Sequence, residues 1–341
     1  MIRFECDYTD GCAPEVLEAL IRTNGLNTIG YGNDEFCAAA KEKIKTVCKC
    51  PQAEIHFAVG GTQANTIIIS SVLRPYEGVV CCESGHINVH ETGAIEATGH
   101  KVLALPAVNG KLTSEGLEKY LSVPTNEHEV KPGMVYISQP TETGTLYRAE
   151  ELESIYAVCQ KYSVPLFVDG ARLAYALGAK ANDVSLPFLA KNCDIFYIGG
   201  TKCGALFGEV MVFTNSDLAY NIRHMIKRHG ALLAKGRLLG VQFATLFTDD
   251  LYTELGKKAM ALAEKVKEGL KEAGVELYYD SPTNQIFPVF ENEVLEKLQK
   301  TYSFEFIADL GNKKAMRICT GWSTKEEHVD MLIRDIKEAV R

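Results

Sequence analysis

Short apolar runs alternate with amphipathic stretches through the first two hundred residues, and this alternation constrains the fold more than any other feature. Residues 79–82, 101–105, 134–138, 166–168 and 195–198 are brief runs rich in β-branched and aromatic side chains. Helical periodicity occupies 63–73, 90–98, 114–121 and 149–162 between them. Strands regularly separated by helices predict a mostly parallel sheet sandwiched by helices. Residues 209–213 read as a further, antiparallel member. From about residue 215 the pattern changes to helices at 222–244 and 251–273, with Gly274 as a C-terminal stop. Short strands at 276–279, 287–290 and 315–319 and a last helix at 325–340 predict a small C-terminal α+β domain. A chain of 341 residues exceeds the roughly 250–300 at which single cores stop growing. The expected division is therefore an N-terminal arm (1–25), a large domain (26–245) and a small one (246–341).

Composition narrows the function classes. A formal charge of −8, from 36 basic and 44 acidic residues, argues against nucleic acid as a partner. No apolar run approaches the roughly 20 residues that span a bilayer, so no membrane association is expected. The opening Met1-Ile2-Arg3-Phe4-Glu5 turns polar at once, unlike a signal peptide. The eleven cysteines are scattered without any Cys-x-x-Cys, which predicts free thiols in a reducing cytoplasm rather than a metal or disulfide framework.

Four local features carry chemistry, each with a plain alternative. Gly60-Gly61-Thr62 joins a strand at 55–59 to a helix. Such a junction presents free N–H groups and a positive dipole end to a phosphate, or is simply a tight turn with a threonine cap. Asp169 ends the apolar strand 166–168, where open α/β sheets place ligands. It would pair with a protonated pyridine nitrogen, cap a helix, or bridge to Arg172. Lys202 follows Gly199-Gly200-Thr201, 33 residues after Asp169. Desolvation there would make its amine a nucleophile; otherwise it is an exposed loop lysine. His86 lies just beyond a strand end, placed to stack on a flat cofactor and move protons. His86, His90 and Glu91 would alternatively suggest a metal site, but the inner Glu of the zincin pattern is missing, so no metal is expected.

Taken in chain order, a phosphate cradle, a stacking ring, a pyridinium partner and a Schiff-base lysine resemble the fold-type-I pyridoxal-phosphate enzymes. More narrowly, Asp169-Gly170-Ala171-Arg172 with a lysine about thirty residues on is similar to the β-eliminating lyase / threonine aldolase family, and the resemblance runs from Asp7 to Arg317. It implies pyridoxal 5′-phosphate as cofactor, bound by Gly60, Gly61, Thr62, His86, Asp169, Arg172, Lys202 and Arg237. Lys202, His86 and Asp169 are the implied catalytic residues. Asp7, Tyr31, Arg172 and Arg317 are implied at the substrate, with the two arginines clamping its carboxylate. The basic segment Lys227-Arg228-His229 with Lys235-Gly236-Arg237 resembles the one through which a neighbouring subunit reaches the phosphate, which implies a homodimer or homotetramer with the site at an interface.

The implied reaction is aldol cleavage of threonine-type β-hydroxy amino acids to glycine and an aldehyde, with His86 or a water it orients as base. Two departures stand out. Gln139-Pro140-Thr141-Glu142 replaces the Glu-Asn-Thr-His usual in threonine aldolases, and the second histidine of those enzymes corresponds loosely to His128. The rival with the same cofactor is β-elimination to pyruvate and ammonia, with racemase and transaminase activity further off. From other classes, a metal-dependent hydrolase, a cofactor-free hydrolase or a non-catalytic relative would fit the fold. No Gly-x-Ser-x-Gly elbow supports a cofactor-free hydrolase.

Overall fold

The computed structural model describes residues 1–341. Its centre is a seven-stranded sheet of Glu54–Ala58 (β1), Glu77–Cys82 (β2), Val102–Leu105 (β3), Lys131–Ser138 (β4), Leu166–Asp169 (β5), Ile195–Gly199 (β6) and Glu209–Phe213 (β7). The strand order is β1-β7-β6-β5-β4-β2-β3. Strands β2 to β6 pair in parallel, while β7 runs antiparallel to both β6 and β1. Six strands therefore point one way and β7 the other.

The runs are apolar throughout because both faces of this sheet are covered. Val135 and Ile137 of β4 join one buried cluster, and Met134 and Tyr136 join a second on the opposite face. The same alternation divides Val168 from Phe167 and Ile198 from Tyr197. Each such side chain contributes roughly 1.5–3 kcal/mol on burial. The larger cluster continues without a break into Phe290, Met316 and Leu332 of the C-terminal layer. That layer holds a small sheet in which Lys313–Cys319 lies between Val289–Glu291 and Glu305–Asp309, closed by the helix Glu326–Val340. No helix is long and apolar enough to cross a membrane.

Several elements differ from the sequence reading. The stretch 222–244 is two helices, Ile222–Arg228 and Arg237–Leu246, interrupted where Gly230 takes a φ of +72°. The stretch 90–98 breaks for a similar reason. Thr92 and Gly93 adopt positive φ, leaving only His86–Val89 as α-helix and Glu96–Thr98 as a 3₁₀ turn. The strand at 276–279 reduces to a single bridge between Leu277 and Pro288.

Candidate active site

The sheet polarity assembles the site. Parallel strands end on the same edge at which the antiparallel β7 begins, so Ser138, Asp169, the segment after Gly199 and Glu209 converge. Two glycines permit the closest approach. A Cβ at Gly170 would lie 2.1 Å from the Tyr197 carbonyl oxygen, and one at Gly199 would lie 2.3 Å from that of Ala171. Side chains at either position would force apart the turns that carry Asp169 and Lys202.

A cavity on this edge is walled by Gly60, Gly61, Thr62, His86, Asp169, Arg172 and Lys202, so all of these sequence-predicted residues meet. Tyr8, Ser138, Glu142, Tyr197, Thr201 and Glu209 complete much of the wall. At one end the helix Gly61–Val72 opens with no side-chain cap. Its N-terminal amides and dipole therefore face the cavity, which suits an anion. Thr62 does not cap its own helix, so the plain turn-cap alternative for this junction fails.

The opposite region is rich in carboxylates. Asp169 accepts from the Tyr136 hydroxyl at 2.6 Å, from Asn65 Nδ2 at 3.3 Å and from the Ala171 amide at 2.9 Å. It forms no ion pair with Arg172. That guanidinium turns instead to Asp7, donating from Nε at 2.8 Å and from Nη2 at 3.0 Å. Glu91 is buried and reaches His86 Nδ1 at 2.8 Å and Asn65 Nδ2 at 2.7 Å, while its Oε2 has no partner. Glu91 thus fixes the imidazole through Nδ1. Burial alone would lower the His86 pKa, but the Glu91 hydrogen bond and the Asp169 charge raise it. Burial pushes Glu209 up to about 8, against the hydrogen bond from Thr201 at 2.8 Å and the nearby charge of Lys202.

Lys202 is the only lysine on the cavity wall. Burial lowers its pKa, Arg172 lowers it further, and Asp7, Asp169 and Glu209 oppose the shift. Its Nζ lies 5.8 Å from the centre of the Tyr8 ring at the mouth. A desolvated amine, an anion-seeking helix end and an unpaired Asp169 among further acids match the aldehyde, phosphate and pyridinium of pyridoxal phosphate. The residues present fit that cofactor.

Four predicted residues lie off this wall. Asp7 sits behind Arg172, fully enclosed. Arg317 donates to Gln285 Oε1 at 3.4 Å and to the Glu5 carbonyl at 3.1 Å, with its Nε buried and unpartnered. Tyr31 is exposed beside Lys227, and the Arg237 guanidinium holds the carbonyls of Thr23 and Leu26 across the Phe36 ring. Within one chain, neither Tyr31 nor Arg237 reaches the cavity. His128 lies on an exposed loop, so Glu142 is the titratable side chain that its part of the chain brings to the site. The sequence reading also missed Asn65, Tyr136, Ser138 and Glu209. Tyr136 and Ser138 were findable, because alternate residues of a strand share a face.

Fold and site together define the class of fold-type-I, pyridoxal-phosphate-dependent enzymes. The chain belongs to the beta-eliminating lyase family, whose model matches residues 7–293. It is 30% identical to a low specificity L-threonine aldolase of Pseudomonas aeruginosa, over 98% of this chain and 97% of the relative. It superposes on the structure of a Leishmania major threonine aldolase with a TM-score of 0.98 and 43% identity, covering 100% of both chains. A putative L-allo-threonine aldolase of Listeria monocytogenes shares the fold at 21% identity, with a TM-score of 0.76 and coverage of 99% and 96%.

Proposed function

We propose that the chain cleaves threonine-type β-hydroxy-α-amino acids between Cα and Cβ, releasing glycine and an aldehyde. The observation that carries this reading is full-length similarity to the Leishmania major aldolase, joined to a cavity whose single lysine has a depressed pKa. Bound pyridoxal phosphate supplies the electron sink for the pair left at Cα when the bond breaks.

In this reading the protein's own groups divide the work. Lys202 is the covalent attachment point, and its low pKa keeps the amine nucleophilic. Gly60, Gly61 and Thr62 hold the phosphate at the helix end, and His86 stacks on the ring. Asp169, fixed in place by three donors, would pair with the protonated ring nitrogen. Arg172 is braced by Asp7 and has Nη1 to offer the substrate carboxylate, with Arg317 as its second clamp. Arg317→Ala should raise KM for the amino acid about 10–100-fold, with a smaller change in kcat. Steady-state kinetics with KM within twofold of wild type would remove Arg317 from the substrate.

Product analysis tests the reaction itself. Glycine and an aldehyde in equal amounts from threonine support aldol cleavage, whereas pyruvate and ammonia from serine or tryptophan as the main activity support elimination.

We also infer a homo-oligomer that completes the site. Leu17, Ile21, Leu26 and Ile29 are exposed apolar side chains leading directly to Tyr31. Lys227, Arg228 and Lys235 are exposed cations of the basic segment that could serve a neighbouring subunit, while the Arg237 guanidinium holds the carbonyls of Thr23 and Leu26 within its own chain. Eleven unpaired cysteines favour a reducing, cytoplasmic setting.

A further inference from the structure

Glu142 stands on the cavity wall with a fixed position and no role in holding the cofactor's phosphate or ring nitrogen. Its Oε1 accepts from Ser138 Oγ at 2.7 Å and from the His86 amide at 3.0 Å. No side chain donates to Oε2, which is not among the buried unpartnered atoms and so is reachable from the cavity. The loop that carries it is held at both ends. Gln139 exchanges hydrogen bonds of 3.0 and 2.9 Å with the Tyr147 backbone, and the Gly144 carbonyl accepts from Thr283 Oγ1 at 2.9 Å. A carboxyl preorganised in this way, with one oxygen anchored and the other free, is built to exchange a proton with something in the cavity.

His86 is the other group that sequence reading offers as base. Its Nδ1 is tied to the buried Glu91, an arrangement that favours the protonated ring. With Nδ1 so held, the ring is fixed for stacking on the cofactor, whereas Glu142 offers an oxygen that no side chain blocks. Around Glu142 the titratable groups are His86 beyond β2, the Cys81 and Cys82 thiols within it, Asp169 at the end of β5, and the Tyr136 and Tyr147 phenols. Of these, only Glu142 combines an unblocked oxygen with the basicity of a carboxylate.

We propose that Glu142 is the catalytic base that removes the β-hydroxyl proton of the substrate and holds it during carbon–carbon cleavage. The O–H bond breaks as a new O–H bond forms on Oε2, and the oxygen pair closes the aldehyde C=O. The Cα–Cβ pair passes to Cα, and a proton delivered there completes glycine. Glu142 releases its own proton to water and has no part in the proton transfer at Cα, so the cycle leaves no net change in protons. Burial, offset by the Ser138 hydrogen bond and reinforced by the Asp169 charge, raises the Glu142 pKa, which strengthens it as a base once ionised. The inference rests on the aldol reading and specifies its proton path.

The test compares wild type with Glu142→Gln, which preserves an acceptor for Ser138 and His86, and with Ser138→Ala. Exchange of the glycine α-proton into D2O, followed by NMR, reads the cofactor and Cα chemistry without any β-hydroxyl. Glu142→Gln should keep the lysine–cofactor absorption band and hold glycine exchange within about threefold, while cleavage of threonine falls about 10²–10⁴-fold. The acid limb of its kcat/KM profile should disappear. Ser138→Ala removes a bond that lowers the Glu142 pKa, so its acid limb should move to higher pH. Cleavage by Glu142→Gln within threefold of wild type overturns the proposal. So does an equal loss of glycine exchange, or an acid limb that Ser138→Ala leaves in place. If wild type itself yields pyruvate rather than glycine, the aldol reading has failed and not merely the assignment of its base.

Discussion

Lys202→Ala is expected to remove turnover by about 10⁴-fold or more while leaving the protein folded, because a nucleophile acting within a catalytic unit is not replaced by its neighbours. Wild type mixed with pyridoxal phosphate should show an absorption band near the visible edge that borohydride traps onto the protein; the variant should show neither. No other lysine lines the cavity, so none can take over the attachment. The loss should be chemical rather than structural. The Lys202 carbonyl remains held by the Tyr175 hydroxyl, and the amine removed makes no ion pair. The amine's burial cost is set against its attraction to Asp7, Asp169 and Glu209, so the cofactor-free variant should keep a cooperative thermal transition. A borohydride-trapped band on the variant would move the attachment point to another lysine.

The sequence made the sheet legible because a sheet covered on both faces is apolar at most of its positions. All seven central strands were therefore readable from hydrophobic runs bounded by turns. Their order was not, since β7 inserts between β1 and β6 through pairings that no local pattern records. The helices Pro14–Thr23 and Glu35–Val47 passed unread despite carrying local signals: Pro14 opens the first, and the Asp34 side chain caps the second at the Cys37 amide. The site divides along the same line. Gly60 to Thr62, His86, Asp169 and Lys202 each end or follow a strand, so chain position alone suggested the edge on which they gather. Glu209 was hidden because it begins a strand, and only the reversed direction of β7 brings it to that edge. Asp7 and Arg172 lie 165 residues apart, and no spacing announces that one neutralises the other.

That pair carries the second large effect. Asp7 is fully enclosed, and its bidentate contact with Arg172 is joined by Asn284 Nδ2 at 2.9 Å. Burial alone would push the Asp7 pKa up, but Arg172, through its charge and hydrogen bonds, and then Lys202 and Asn284 carry it below the usual carboxylate value. Arg172→Leu should therefore destabilise the fold by about 3–5 kcal/mol at neutral pH, because the change strands a buried carboxylate without its cation. Asp7→Leu combined with Arg172→Leu should recover much of that loss, since neither charge then remains to be solvated. The pH dependence fixes the cause. A carboxyl with a depressed folded-state pKa contributes stability above its unfolded value, and that contribution disappears as pH falls through the folded value. Wild type should thus lose stability on acidification, while Arg172→Leu, whose stranded carboxyl takes up a proton more readily, should lose less. The gap between them should narrow towards low pH in urea titrations followed by circular dichroism. A gap that stays constant with pH would mean that Arg172 stabilises the chain through packing of its stem rather than through its charge on Asp7.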